Sequence, residues 1–195
     1  MSIDNDDFEL LQAFHELLGT PEHSVPLTEQ QLQILSKLAP EPLMRFWKTY
    51  GWCTYLGGLI RTVNPNDYLD VLSDWQLEPG SMVFARSAFG DLVCLIGDQL
   101  RIIFVHTATC LNSILRYPEF LATQFYPDDI DGFFFGPLYR EAVERFGRPA
   151  PDEIFTFEPA LALGGQADVK HVVRVKLKPA LALLAQLVDE LQEYT

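Results

Sequence analysis

Basic residues are scarce: 14 Lys and Arg face 27 Asp and Glu in 195 residues, a formal net charge of −13. A surface that grips phosphates needs a Lys/Arg field, so DNA, RNA and anionic lipid are poor partners for this chain. Cysteine is rarer still. Cys53, Cys94 and Cys110 are odd in number, sit in apolar surroundings and show no C-x-x-C, which indicates neither a disulfide framework nor a zinc site. A reducing cytoplasm is the expected setting. No run of ~18 apolar residues occurs, and MSIDNDDFELLQAFHELL opens with acids rather than a basic segment, so neither a membrane span nor a secretory signal is expected. G-x-S-x-G, P-loop, G-x-G-x-x-G and H-E-x-x-H are all missing. The expectation is a non-enzyme without cofactor or metal.

What is present is enough apolar material for a core: 48% of residues are hydrophobic and 12% aromatic. The length suits one domain, or a small module fused to a larger one. Phe8, Leu11, Phe14, Leu17 and Leu18 recur at helical spacing before Gly19. Thr28 to Gln31 has capping-box form, with an apolar stripe at Leu32, Leu35 and Leu38. A third helix follows Pro42, with Leu43, Phe46, Trp47 and Tyr50 inward and Gly51 as its stop. WCTYLGGLIRTV predicts a strand or hairpin, and Asn64-Pro65 opens a helix with Tyr68, Leu69, Leu72 and Trp75 inward.

From residue 82 the period changes. Three short apolar runs, punctuated by Gly90-Asp91 and Gly97-Asp98, predict an antiparallel meander that residues 109–116 can extend. Helical signals return at Pro118. A turn at Tyr126-Pro127-Asp128-Asp129 leads into one helix over GFFFGPLYREAVERF, ending at Gly147. A strand, VVRVKL, precedes a last helix that starts with Pro179 at its first position and carries Leu181, Leu183, Leu184, Leu187, Val188 and Leu191. The fold class is therefore α+β, an antiparallel sheet with packed helices and a helical N-terminal segment. Residues 1–80 and 81–195 form the two expected regions, joined as one compact unit.

Chemistry-bearing clusters are few. His106 and Cys110 stand four apart in a region read as strand, too far apart there to chelate easily. His15 and His23 lie in an acidic segment, where solvated histidines with raised pKa values are expected. Asp129 and Asp131 have D-x-D spacing without the rest of a calcium loop. The acids themselves are uneven. Residues 1–36 hold seven, residues 117–139 four and residues 179–195 three, with no Lys or Arg in any of these stretches. Folded onto one side they would make a face suited to a basic protein; scattered, they would simply keep the chain soluble.

Two segments carry a family resemblance. FGPLYREAVERFGRPAPDEIFTFEPALALGG, residues 135–165, with the following VKHVVRVKLKPALALLAQL, resembles the C-terminal domain of Tdi-type immunity proteins of the type VI secretion system. RFWKTYGWCTYLGGLIRTVNPNDYLDVLSDW, residues 45–75, resembles the GAD-like domain that precedes it. The residues carrying the match are Gly51, Trp52, Asn64, Pro65, Phe135, Gly136, Pro137, Leu138, Gly147, Glu153, Pro159, Leu161, Leu163, Gly164 and Gly165. They read as scaffold: helix starts, turns and backbone reversals. Cys53 and Leu56 depart from the pattern, which expects smaller or more polar residues there.

The resemblance implies a SMI1/KNR4 (SUKH)-like fold and the neutralisation of a secreted toxin, most often a DNase effector, by occluding or distorting its active site. Neither nucleic acid nor membrane is expected to be bound directly, and the bacterial cytoplasm is the setting this implies. A non-catalytic adaptor and an enzyme of another type are the alternative classes. Candidate contacts to a cognate toxin are Asp4, Asp6, Asp7 and Glu9 at the first helix, Asp128, Asp129 and Asp131 in the loop, and Asp189, Glu190 and Glu193 at the last helix.

Overall fold

The structure is a computed structural model that describes residues 3–188 and 190–193, with side chains from residue 6 onward. α1 (Ile3–Leu18) buries Phe8, Leu11, Phe14 and Leu18 along one face, as the spacing predicts. The loop after it contributes an unforeseen edge strand, β1 (His23–Val25). α2 (Glu29–Leu35) starts from the capping box: the Gln31 amide donates to Thr28 Oγ1 at 3.2 Å and the Thr28 amide to Gln31 Oε1 at 2.9 Å. It ends before Leu38, which is 59% exposed, so the expected stripe stops one turn early.

α3 (Glu41–Tyr50) buries Leu43, Phe46 and Trp47 and closes at Gly51, whose φ is +74°. A Cβ there would collide with the Val25 carbonyl of β1, so only glycine lets the two chain segments approach. β2 (Trp52–Tyr55) and β3 (Ile60–Thr62) form the hairpin around Gly57-Gly58. The Asn64 side chain caps a 3₁₀ turn, Pro65–Tyr68, which runs into α4 (Leu69–Asp74). Tyr68, Leu72 and Trp75 are buried, but Leu69 is 60% exposed and Val71 takes the inward place. The tighter 3₁₀ period resets the phase of the following helix.

β4 (Met82–Ser87), β5 (Leu92–Ile96) and β6 (Gln99–Phe104) are the predicted meander, and β7 (Thr109–Arg116) extends it. The sheet order is β1-β2-β3-β4-β5-β6-β7, completed by β10 (Gln192–Glu193), which pairs with β7 in parallel; all other pairs are antiparallel. Pairing of β3 with β4 joins the residues before and after position 80 in one sheet.

α5 (Tyr117–Gln124) packs beside α1, and then the chain departs from expectation. The Tyr126–Asp129 segment is not a separate turn. Pro127 opens α6 (Pro127–Phe133), with Asp128 and Asp129 in its first turn, where they complement the helix dipole. The single helix expected across GFFFGPLYREAVERF is also broken. Phe135 adopts left-handed φ +54°, and α7 (Gly136–Phe146) restarts from Gly136-Pro137, because proline lacks the donor a continuing helix needs.

β8 (Glu153–Phe157) and β9 (Val172–Lys176) form a separate hairpin-like sheet. α8 (Leu177–Ala185) begins two residues before Pro179 and stops at Ala185. Leu187, Val188 and Leu191, expected on that helix, follow it in non-helical chain that packs on the core and leads to β10, which covers the end of the β7 edge.

The sheet divides the core in two. Phe84, Val93, Leu95 and Ile102 face α1, α3, α5, α6 and α7, while Val83, Leu92, Cys94 and Ile103 face α4 and α8. Central strands covered on both faces need apolar residues at successive positions, which is why β4 and β5 read as continuous runs. Helices on a mainly antiparallel sheet make this the α+β class the sequence leads to.

Candidate partner interface

α1, α5 and α6 lie in the helical layer on one face of the sheet, and we refer to them together as the strip. α1 packs along α5, Phe14 meets Phe125 at 5.8 Å, and Phe125 meets Phe134 at 5.9 Å, at the end of α6. These three helices carry nine acids and no Lys or Arg. Asp6, Glu9, Asp128 and Asp129 are exposed on it. Tyr126, at the junction of α5 and α6, is 47% exposed beside the last two, an aromatic side chain within an acidic surround. Some acids of the strip have partners within the chain. Asp7, 8% exposed, is held by the Arg116 guanidinium, and Asp131 pairs with Arg140 at 2.7 Å.

Asp131 also explains Gly136: a Cβ on Gly136 would overlap the Asp131 carboxylate. Asp4 lies on α1 without a described side chain, and Asp189 lies outside the described residues. Glu190 is exposed next to the chain that follows α8, on the other side of the sheet, and Glu193 is on β10, accepting from Asn112 Nδ2 at 2.8 Å. The structure thus brings the α1 and α6 acids onto one layer and sets Glu190 and Glu193 apart. Neither of these glutamates is on the last helix, where the sequence put them.

Two histidines, His15 and His106, differ from expectation. His15 is half-buried, stacks on Tyr50 at 3.8 Å and bonds Tyr55 Oη through Nδ1 at 2.6 Å; burial lowers its pKa, outweighing the raising effect of Glu16. His106 sits in the turn after β6, not in a strand. Its Nε2 meets the Phe89 carbonyl at 2.8 Å, and burial pulls its pKa down to about 4. Nearby Asp91 is fully enclosed, which pushes its carboxyl up to about 7 against the hydrogen bonds from Ser87 and Val105. The three cysteines are buried and unpaired. Among the described residues no three His, Cys, Asp or Glu converge as a metal site, and no helix is long and apolar enough to cross a membrane.

Sequence reasoning missed one feature: Arg61 and Arg86, each preceded by apolar residues of its strand, line the same cleft on the α8 side of the sheet. A charged residue interrupting a buried run was the available signal.

The described residues thus form an acid-rich α+β sheet covered by helices. Comparison with known families identifies it. The GAD-like domain matches residues 9–108, more than half of the chain, and the C-terminal domain of the T6SS immunity protein Tdi1 matches residues 116–188. The chain belongs to this family of GAD-like, Tdi1-type type VI secretion immunity proteins. Among solved structures, the crystal structure of Atu4351 from Agrobacterium tumefaciens is similar, with a TM-score of 0.67 at 18% identity over 86% of this chain and 85% of that one, a likeness of fold. No curated protein matches the sequence.

Proposed function

We propose that the chain neutralises its cognate toxin, a nuclease, by binding it without catalysis through the strip formed by α1, α5 and α6. The observation that carries this reading is the absence of any Lys or Arg from three helices that hold nine acids. A nuclease is basic where it grips DNA, and an acidic surface competes for that site and speeds encounter by electrostatic steering. Tyr126 is the anchor on this reading, an exposed aromatic whose burial slows dissociation.

The test measures association and dissociation with the product of the neighbouring toxin gene at two salt concentrations. Asp128→Lys combined with Asp129→Lys should slow association about tenfold at low salt and flatten its salt dependence. Tyr126→Ala should act on dissociation instead. A complex indifferent to salt and to both changes would rule out the strip as the contact, and stable cellular partners in place of the toxin would favour the adaptor class.

A further inference from the structure

Arg61 on β3 and Arg86 on β4 stand directly opposite each other in the antiparallel ladder. Like charges in that relation destabilise a sheet, and burial makes matters worse: Arg86 is 1% exposed. Arg86 donates Nη1 to the Ser87 carbonyl at 3.0 Å and Nη2 to the Pro151 carbonyl at 2.7 Å, while its buried Nε has no partner. Arg61 donates Nη2 to the Pro149 carbonyl at 2.8 Å. Neither guanidinium has a carboxylate within 4.0 Å among the described residues.

The carbonyl contacts tie down the Pro149–Pro151 segment, but carbonyl dipoles are not counter-charges, and neither guanidinium has an ion-pair partner within 4.0 Å among the described residues. If anchoring that loop were their whole role, neutral donors would serve without the repulsion. The two arginines instead line a cleft of about 660 Å³ with Trp52 and Tyr68, within the size range that takes a small organic ligand. Of the carboxylates lining it, Asp152 is engaged by Lys176 at 2.7 Å, and Asp67 is exposed. In a chain of net charge −13, a cleft built around two unpaired guanidiniums is a local inversion of sign.

We propose that this cleft binds a small organic anion, a carboxylate or phosphate group carried on an apolar body. Arg61 and Arg86 hold the oxyanion, for which the guanidinium fork is suited, and Trp52 and Tyr68 flank the body. The site lies across the sheet from the acidic strip, so it goes beyond the toxin contact proposed above and stands or falls separately from it.

The experiment is calorimetric titration of the full chain at constant ionic strength with phenyl phosphate, benzoate and inorganic phosphate, with benzamide as the neutral control. Binding of phenyl phosphate or benzoate, but not benzamide, is expected, and the stronger of the two identifies the headgroup. Arg61→Gln should weaken it about 10- to 100-fold, the loss expected for a hydrogen bond to a charged group, and Lys48→Gln on α3 should leave it unchanged. Arg86→Gln should act likewise, and if it fails to fold Arg61→Gln carries the test alone. Lack of binding by both organic anions, equal binding of benzamide, or an Arg61→Gln protein that binds like the parent would each overturn the proposal.

Discussion

Ser87 donates its hydroxyl to Asp91 at 2.7 Å inside a fully enclosed site. Ser87 Oγ already accepts the amides of Phe89 and Asp91, both at 3.1 Å, so its proton has only the carboxylate to go to. The other carboxylate oxygen accepts the Val105 amide at 3.1 Å, tying the β4–β5 turn to the end of β6. Asp91→Ala strands these donors and should cost about 2–4 kcal/mol in urea unfolding at pH 7.

The same carboxyl sets a pH dependence. Burial raises it from 3.8 to about 7, so the folded state keeps a proton that the unfolded chain releases, and this contribution falls as pH rises between those values. His106 runs the other way. Its pKa drops from 6.5 to about 4, so the unfolded state binds the extra proton and stability rises over that window; His15, also lowered, acts in the same sense. Each slope is about 1.4 kcal/mol per pH unit at most, so they oppose one another. His106→Gln should therefore expose a decline in stability from pH 4.5 to 6.5, read from urea midpoints.

Acids on the proposed strip should separate by internal commitment. Asp7→Lys places a second cation against Arg116 in a nearly closed site and should cost about 1–3 kcal/mol of stability. Asp128→Lys, on the exposed first turn of α6, should cost no more than about 0.5–1 kcal/mol. Paired urea titrations decide this before any binding measurement is interpreted.

Gly51→Ala should destabilise the fold by about 2–3 kcal/mol, because a Cβ at φ +74° meets the Val25 carbonyl carbon at 2.9 Å. Hydrogen exchange should show the β1 amides losing protection first. Equal protection in both proteins would mean that β1 is not held by this contact.

Cys94 is 0% exposed, with its thiol pushed up to about 12 by burial. A thiol reagent should label it only at the unfolding rate, so labelling should track urea unfolding. Fast labelling in native buffer would place it in an open region.

Local chemistry was legible in the chain. The α1 stripe, the Thr28 capping box, the Gly51 stop and the β4–β6 meander each depend on residues within a few positions of one another. The change of period near residue 82 led to the α+β class, and the family motifs to the Tdi1-type family. Only tertiary structure decided the rest. Whether Arg61 faces Arg86 depends on strand register, whether Glu190 joins the α1 acids depends on which side of the sheet its segment packs, and the lengths of α6, α7 and α8 depend on what the core and the β7 edge take up. Those outcomes are set by burial summed over residues far apart in sequence, and a local period carries no record of that sum.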